Sequence, residues 1–166
     1  TYVQLRRHVD TIGRQLAGQG LHASDRVAIV LPNGPEMASS FLAVASYMSA
    51  APLNPNYKRN EYEFYLSDLK PALVIVEQDS DNPVRQAAAA LSIPIAEARV
   101  KPDMSAGEFF LFDEEADIKY ASTEQEALVL HTSGTTSRPK VVPLLQKNIL
   151  ASARNIAASL ELRGHD

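Results

Sequence analysis

The sequence predicts an α/β fold in which a mostly parallel sheet is flanked by helices. Short apolar runs alternate along the chain with stretches whose apolar residues recur at helical spacing. Two runs, at 27–31 and 73–76, are apolar throughout, which is typical of strands that are covered on both faces. Strands that alternate with helices favour parallel crossover units, so we expect one α/β domain.

The first four predicted helices each have a sequence signal at the amino end. Thr1 and Gln4 have the spacing of a capping box, Pro35 suits a first helical turn, Asn60 suits a cap, and Asn82 with Pro83 restarts a helix. Their apolar faces are predicted to be Leu5, Val9, Ile12 and Leu16; Met37, Phe41, Val44 and Met48; Tyr62, Tyr65, Leu66 and Leu69; and Val84, Ala87, Ala88 and Leu91.

Between these helices the strands are expected at 27–31, 51–55, 73–76 and 93–96. The segment 51–55 contains two prolines, which favours a short edge strand or an extended connector over a central strand. Periodicity fades over 99–122, where 109–112 is a candidate strand. The acidic run 113–115 is interpreted as a solvated turn, because consecutive carboxylates point in different directions and suit a metal poorly.

The last part of the chain predicts a strand, a polar loop, a second strand and a closing helix. The strands are expected at 127–130 and 141–144, and the helix presents an apolar face of Ile149, Ala153, Ile156 and Leu160. In the loop between the strands, Gly134 permits a sharp turn and Lys140 supplies a mobile positive charge. The hydroxyl donors are those of Thr132, Ser133, Thr135, Thr136 and Ser137.

These loop residues suit a phosphate ligand, although a hairpin connection explains the same composition. The common P-loop pattern is excluded, because five residues separate Gly134 from Lys140 and no glycine immediately precedes the lysine. His131 is expected to be a packed or hydrogen-bonded residue and not a nucleotide contact. Similarly, the tyrosines at 57, 62 and 65 favour core packing over a base-stacking platform.

Composition narrows the functional classes. The net charge of −4 argues against nucleic acid and anionic membranes as general partners, and the absence of cysteine excludes disulfides and thiolate chemistry. No apolar run has the length of a membrane span. We therefore expect a soluble, cytoplasmic protein whose partners are small molecules or proteins.

The order of residues in HTSGTTSRPK resembles the phosphate-loop signature T-S-G-T-T-G-x-P-K-G of the adenylate-forming acyl-CoA synthetase and ligase superfamily. The resemblance extends upstream through TYVQL, DRVAIVLPNGPEM and AAPLNPNYKRNEYEFYLSDLKPALVIV. Within this AMP-binding superfamily the oxalate–CoA ligase branch is most similar. Four features carry that narrower likeness: His131, Ser137, the run 138–140 and the run 142–144.

The resemblance implies an enzyme that activates a carboxylate with Mg²⁺ and ATP to an acyl-adenylate and then transfers the acyl group to coenzyme A. It implies that ATP phosphates bind Thr132, Ser133, Gly134, Thr135, Thr136, Ser137 and Lys140. Residues 1–166 would be an amino-terminal part of the AMP-binding domain that ends just after this loop. No catalytic or metal-binding residue is expected within it.

Several expectations follow from reading the chain as such a part. Alone it should be inactive, carry no bound cofactor and self-associate through apolar surface; a peroxisomal location is the alternative to the cytoplasm. There are two rival hypotheses: a stand-alone nucleotide-binding module without catalysis, and a folding or interaction fragment with an unoccupied loop.

Two positions depart from the family pattern. Val141 replaces a glycine, so the backbone after Lys140 must be extended or differently shaped, and Gln146 replaces a frequent histidine.

Overall fold

A six-stranded sheet with the order β4-β3-β1-β2-β5-β6 forms the centre of the computed structural model, which describes residues 1–132 and 139–164. The first five strands in chain order are parallel, and β6 pairs antiparallel with β5. The predicted α/β class with a mostly parallel sheet is therefore confirmed.

The strands are β1 Arg26–Val30, β2 Ser49–Pro52, β3 Leu73–Glu77, β4 Ile95–Ala98, β5 Glu126–Thr132 and β6 Lys140–Leu145. The helices are α1 Tyr2–Gly18, α2 Pro35–Tyr47, α3 Arg59–Leu69, α4 Val84–Ala90 and α5 Gln146–Ser159.

The amino ends of the helices follow the local sequence at most positions. In α1 the Thr1 hydroxyl accepts from the Gln4 amide at 3.3 Å and the Thr1 amino group donates to the Gln4 side chain at 2.9 Å, which confirms the capping box. Pro35 begins α2 as predicted. Asn60 is not a cap, because α3 starts one residue earlier and the Lys58 amide donates to the Glu61 carboxylate at 2.8 Å.

Two apolar layers cover the central strands. Alternate residues of β1 point to opposite faces, so that Val27 and Ile29 pack beneath α1 and α2, while Ala28 and Val30 pack beneath α3 and α4. This confirms that the continuous apolar run at 27–31 is a strand covered on both sides.

The position of β2 corrects the sequence prediction. It lies inside the sheet between β1 and β5, not at an edge. The Ser49 amide donates to the carbonyl of Asp25, just before β1, and the Leu53 amide donates to the carbonyl of Ile29 in β1. Because backbone groups alternate along a strand, the nitrogen of Pro52 points to the other side, toward β5. On that side the register with β5 is limited to Ala50 and Leu128, so the proline interrupts little pairing.

A second correction concerns residues 99–125, which we call the strap. The predicted strand at 109–112 is absent from it, and its pairing is an isolated bridge between Arg99 and Phe110. Phe109 and Leu111 are instead buried beneath α1 and α2. The strap carries the chain across those helices from β4 at one edge of the sheet to β5.

The closing helix α5 forms as predicted, but its apolar face is mostly exposed. Ile156 and Leu160 retain 54% and 65% of their accessible surface, and Ile149 is half-buried. Across residues 1–132 and 139–164, no helix is both long and apolar enough to cross a membrane.

Candidate phosphate-binding site

The ends of the hydroxyl-rich loop meet at the last residue pair of two antiparallel strands. Thr132 ends β5, Lys140 begins β6, and the two residues lie directly opposite each other in the register. Side chains opposite each other on one face have Cβ atoms about 5 Å apart, and both of these side chains are exposed. The structure thus brings together a hydroxyl and an ammonium group at the mouth of the loop.

The other predicted phosphate ligands lie outside the described residues. These are Ser133, Gly134, Thr135, Thr136 and Ser137. Their assignment remains a prediction from the order of residues in the sequence.

The loop follows the carboxyl end of a parallel strand, which is where ligands bind in open α/β sheets. Toward this edge of the sheet the residues of β5 become more exposed. Ala127 and Val129 are buried, and Val129 packs in the α3 and α4 layer, whereas Leu130 and Thr132 are exposed. A ligand can therefore approach Thr132 and Lys140 from solvent.

His131, immediately before Thr132, is packed as the sequence predicts. Its side chain is 8% exposed, and Nε2 lies 3.0 Å from Oδ2 of Asp68 on α3. The imidazole also meets the ring of Tyr65 edge-on, with 4.7 Å between centroids and an interplanar angle of 67°. No local signal in the sequence indicated Asp68, because its partner is 63 residues away.

The tyrosine cluster near His131 belongs to the α3 layer. Tyr62 is fully buried and donates to the carbonyl of Asn54 at 2.9 Å, and Tyr57 stacks on Tyr65 with centroids 4.9 Å apart. Burial, with the Tyr65 hydroxyl, raises the pKa of Tyr57 to about 12, so this phenol is neutral at pH 7. Core packing, the predicted role, is confirmed for Tyr62, while Tyr57 and Tyr65 are half-buried.

The two departures from the family pattern have structural explanations. Val141 lies in the extended strand β6 opposite His131, so no positive φ is required after Lys140. Its side chain packs against the apolar layer that contains Tyr57 and Tyr65. Gln146 begins α5 and its side-chain amide donates to the carbonyl of Ala45 on α2. Both residues therefore anchor the strand and helix that follow the loop.

The base of β5 is fixed by a polar network that the sequence did not reveal. Arg26 at the start of β1 makes two hydrogen bonds with Glu126, at 2.8 and 2.9 Å, and Ser49 of β2 donates to the same carboxylate at 2.7 Å. Arg26 and Glu126 are 100 residues apart, so local spacing contains no signal for this contact.

The acidic run 113–115 is an exposed turn, as predicted. Glu115 pairs with Arg14 at 2.8 Å, and Glu114 accepts from the Gln19 side chain at 3.5 Å. In the described part of the chain, no group of three or more histidine or acidic side chains is arranged to bind a metal ion.

Comparison with known proteins gives matches along the whole chain. The model of the AMP-binding enzyme family matches residues 1–166. The chain is 37% identical to an oxalate–CoA ligase of Arabidopsis thaliana over 92% of this chain and 31% of that protein. It is 34% identical to the oxalate–CoA ligase of Saccharomyces cerevisiae over 83% of this chain and 30% of that protein.

Solved structures share the fold. Apo MatB from Rhodopseudomonas palustris has a TM-score of 0.77 at 21% identity, over 98% of this chain and 32% of that one. The o-succinylbenzoate CoA synthetase MenE of Bacillus subtilis, in complex with its acyl-adenylate OSB-AMP, has a TM-score of 0.75 at 24% identity, over 100% of this chain and 41% of that one. The chain spans about a third of the length of the curated relatives it matches.

Proposed function

Because the chain belongs to the AMP-binding enzyme family, we propose that it is the phosphate-binding part of an ATP-dependent acid–CoA ligase. The observation that carries this proposal is the pairing of Thr132 with Lys140 at the two ends of the sequence TSGTTSRPK. A hydroxyl donor and a flexible cation on one exposed face are suited to a polyphosphate.

The reaction proposed for the whole ligase has two steps. A carboxylate oxygen attacks the α-phosphorus of ATP and the bond to the bridging oxygen breaks, which releases pyrophosphate and leaves an acyl-adenylate. The thiolate sulfur of coenzyme A then attacks the acyl carbon and displaces AMP. Negative charge accumulates on the leaving group in the first step, so preorganised donors and a cation lower its barrier.

In this scheme the hydroxyl of Thr132 and the ammonium group of Lys140 bind the β- and γ-phosphates. The hydroxyls at 133 and 135–137 add donors, and Gly134 allows close approach of the backbone. Mg²⁺ would arrive with ATP. The described residues contain no carboxylate cluster that fits it, so we assign the metal no step in this chain.

For the acyl substrate we propose oxalate or a similarly small acid. The support is the similarity to two oxalate–CoA ligases, at 37% and 34% identity. We place the ligase in the cytoplasm or the peroxisome, with ATP, coenzyme A and the acid as its small-molecule partners.

The role of the loop can be tested with pyrophosphate, which lacks the adenosine that other parts of a ligase would contact. In an NMR titration of the ¹⁵N-labelled chain we expect weak, millimolar binding. Lys140→Ala and Thr135→Ala should each weaken it by about tenfold, as expected for the loss of a hydrogen bond to a charged group. Lys147→Ala is the matched control, because this exposed lysine on α5 already pairs with Glu124 at 2.6 Å. Equal affinities for wild type, Lys140→Ala and Thr135→Ala would contradict the proposal.

We further propose that the chain alone neither retains nucleotide nor forms an acyl-adenylate, since it corresponds to about a third of its relatives. Pyrophosphate exchange into ATP, measured with oxalate and other short acids, should stay at background. Exchange above background would overturn this. Micromolar ATP binding without exchange would instead favour a stand-alone nucleotide-binding module.

A further inference from the structure

The strand end that precedes the loop is attached to α3 through His131. The imidazole Nε2 lies 3.0 Å from the Asp68 carboxylate, which is 34% exposed, whereas the histidine side chain is 8% exposed. With Asp68 ionised, the geometry requires Nε2–H to donate and the carboxylate to accept. The bond therefore joins a nearly buried ring on β5 to a partly solvated helix side chain.

Aromatic packing fixes the same ring from a second direction. The imidazole meets Tyr65 edge-on at 4.7 Å, and Tyr65 stacks on Tyr57 at 4.9 Å with an interplanar angle of 15°. Tyr57 lies on the segment that follows β2, and Tyr57, Tyr65 and Val141, which is opposite His131, each pack against the buried core beneath α3 and α4. The imidazole is thus restrained by a directional hydrogen bond and by the ring of Tyr65, which Tyr57 supports from a second segment.

The restraint bears on the phosphate site through the geometry of the strand. Successive side chains of a strand point to opposite faces, so fixing His131 toward α3 directs Thr132 to the other face. There Thr132 lies opposite Lys140. β5 has only its Ala50–Leu128 register with β2, so β2 does not support these last residues.

We propose that Asp68 and His131 form a positioning pair that sets the orientation of Thr132 and Lys140 for the phosphate ligand. This inference rests on the proposed function, since it requires the loop to bind phosphate. An apolar ring at position 131 that contacts Tyr65 would be enough for packing between the helix and the sheet. The hydrogen bond to Asp68 additionally fixes the orientation of the ring, which packing alone does not.

The test uses pyrophosphate titrations of the labelled chain. His131→Phe keeps a ring on Tyr65 but cannot donate to Asp68, and Asp68→Ala removes the acceptor. We expect each to weaken pyrophosphate binding by about tenfold, by analogy with the loss of residues that orient metal ligands. The double variant should bind no more weakly than either single one, because the two residues act as a pair. Asp68→Asn retains an acceptor oxygen and should bind within about twofold of wild type.

A matched control separates positioning from stability. Glu63→Gln removes another carboxylate of α3, one that pairs with Arg59 at 2.7 Å within the helix, and should leave binding unchanged. Circular dichroism at the titration temperature establishes that each variant is folded; should His131→Phe fail to fold, Asp68→Ala carries the test. Folded variants that bind like wild type would overturn the inference alone. Absence of binding by wild type would overturn the proposed function and the inference with it.

Discussion

At the scale of single residues, Glu126 links three strands at the base of the strand that leads to the hydroxyl-rich loop. It accepts two hydrogen bonds from Arg26 and one from Ser49, and Arg26 also donates to the carbonyl of Leu69 at 3.3 Å. Burial alone would raise the pKa of Glu126, but the Arg26 guanidinium and the Ser49 hydroxyl outweigh it and lower the pKa. The carboxylate is therefore ionised in the folded protein at neutral pH.

Glu126→Gln should lower the free energy of unfolding by about 2 kcal/mol at pH 7, because it leaves a partly buried guanidinium without its anion. The folded-state pKa of Glu126 lies below its unfolded value of about 4.3, so its contribution is present above that pH and is lost as pH falls through the folded pKa. Urea unfolding between about pH 3 and pH 7 should therefore show a steeper acid loss for wild type than for the variant.

Glu63→Gln serves as the comparison for this measurement, since it breaks an exposed pair with Arg59 and should cost no more than about 0.5 kcal/mol. A cost for Glu126→Gln that is equally small, or that does not vary with pH, would show that the network contributes little.

At the scale of elements, the strap at 99–125 is attached to α1 and α2 by polar contacts that replace a regular strand. The Gln15 side chain accepts from the amides of Leu111 and Phe112 at 2.9 and 3.4 Å. Asp10 accepts from the Tyr120 hydroxyl at 2.5 Å. At the other end, Ser39 donates to the carbonyl of Gly107 at 2.6 Å. Since the strap runs directly into β5, its attachment helps to fix the position of the strand that leads to the hydroxyl-rich loop.

Gln15→Leu should destabilise the protein by about 2 kcal/mol, because it leaves the buried amide of Leu111 and the neighbouring amide of Phe112 without their acceptor. Limited proteolysis followed by mass spectrometry should find faster cleavage within the strap than in wild type. Gln19→Ala at the C-cap of the same helix is the control, since Gln19 is exposed and its contact with Glu114 is 3.5 Å long. The same cleavage rate in both variants would argue that Gln15 does not anchor the strap.

At the scale of the whole molecule, apolar cover is uneven across the sheet. β1 and β3 are buried on both faces, whereas α5 beside β5 and β6 has no buried residue. On α5 and just after it, the large apolar side chains of Leu150, Ile156, Leu160 and Leu162 are exposed. Exposed apolar surface favours association in water. This supports the sequence-based expectation that the isolated chain self-associates, which stays a prediction.

Sedimentation velocity over a concentration series should show a weight-average sedimentation coefficient that rises with concentration. Ile156→Lys with Leu160→Lys should shift the chain toward monomer, because charges on the α5 face resist burial. Ser152→Lys is the matched control: it adds a charge to α5 at an exposed polar position and should leave association unchanged. A wild-type chain that is monomeric at every concentration would refute this prediction.

Element types were predictable from local pattern, but their places in the sheet were not. Interactions between residues close in sequence determine the cap at Thr1, the start of α2 at Pro35 and the apolar runs. The two prolines at 51–55 led to the wrong place for β2, because its strand neighbours are set by crossovers that local sequence does not encode. The segment with Phe109 and Leu111 was predicted to be a strand because residues buried beneath helices are of the same apolar types as residues in buried strands.

The candidate site divides in the same way. The order of residues from His131 to Lys140 was enough to predict the family, which is confirmed, while the phosphate-binding role of the loop stays a prediction. Three contacts could not be predicted, because they join residues that meet only when strands and helices pack. They are the pairing of Thr132 with Lys140, the hydrogen bond between His131 and Asp68, and the network around Glu126. Sequence alone determined the chemistry that the loop offers. The tertiary structure decided how its two ends are oriented, since the direction of a side chain depends on strand register and on the distant residues that restrain it.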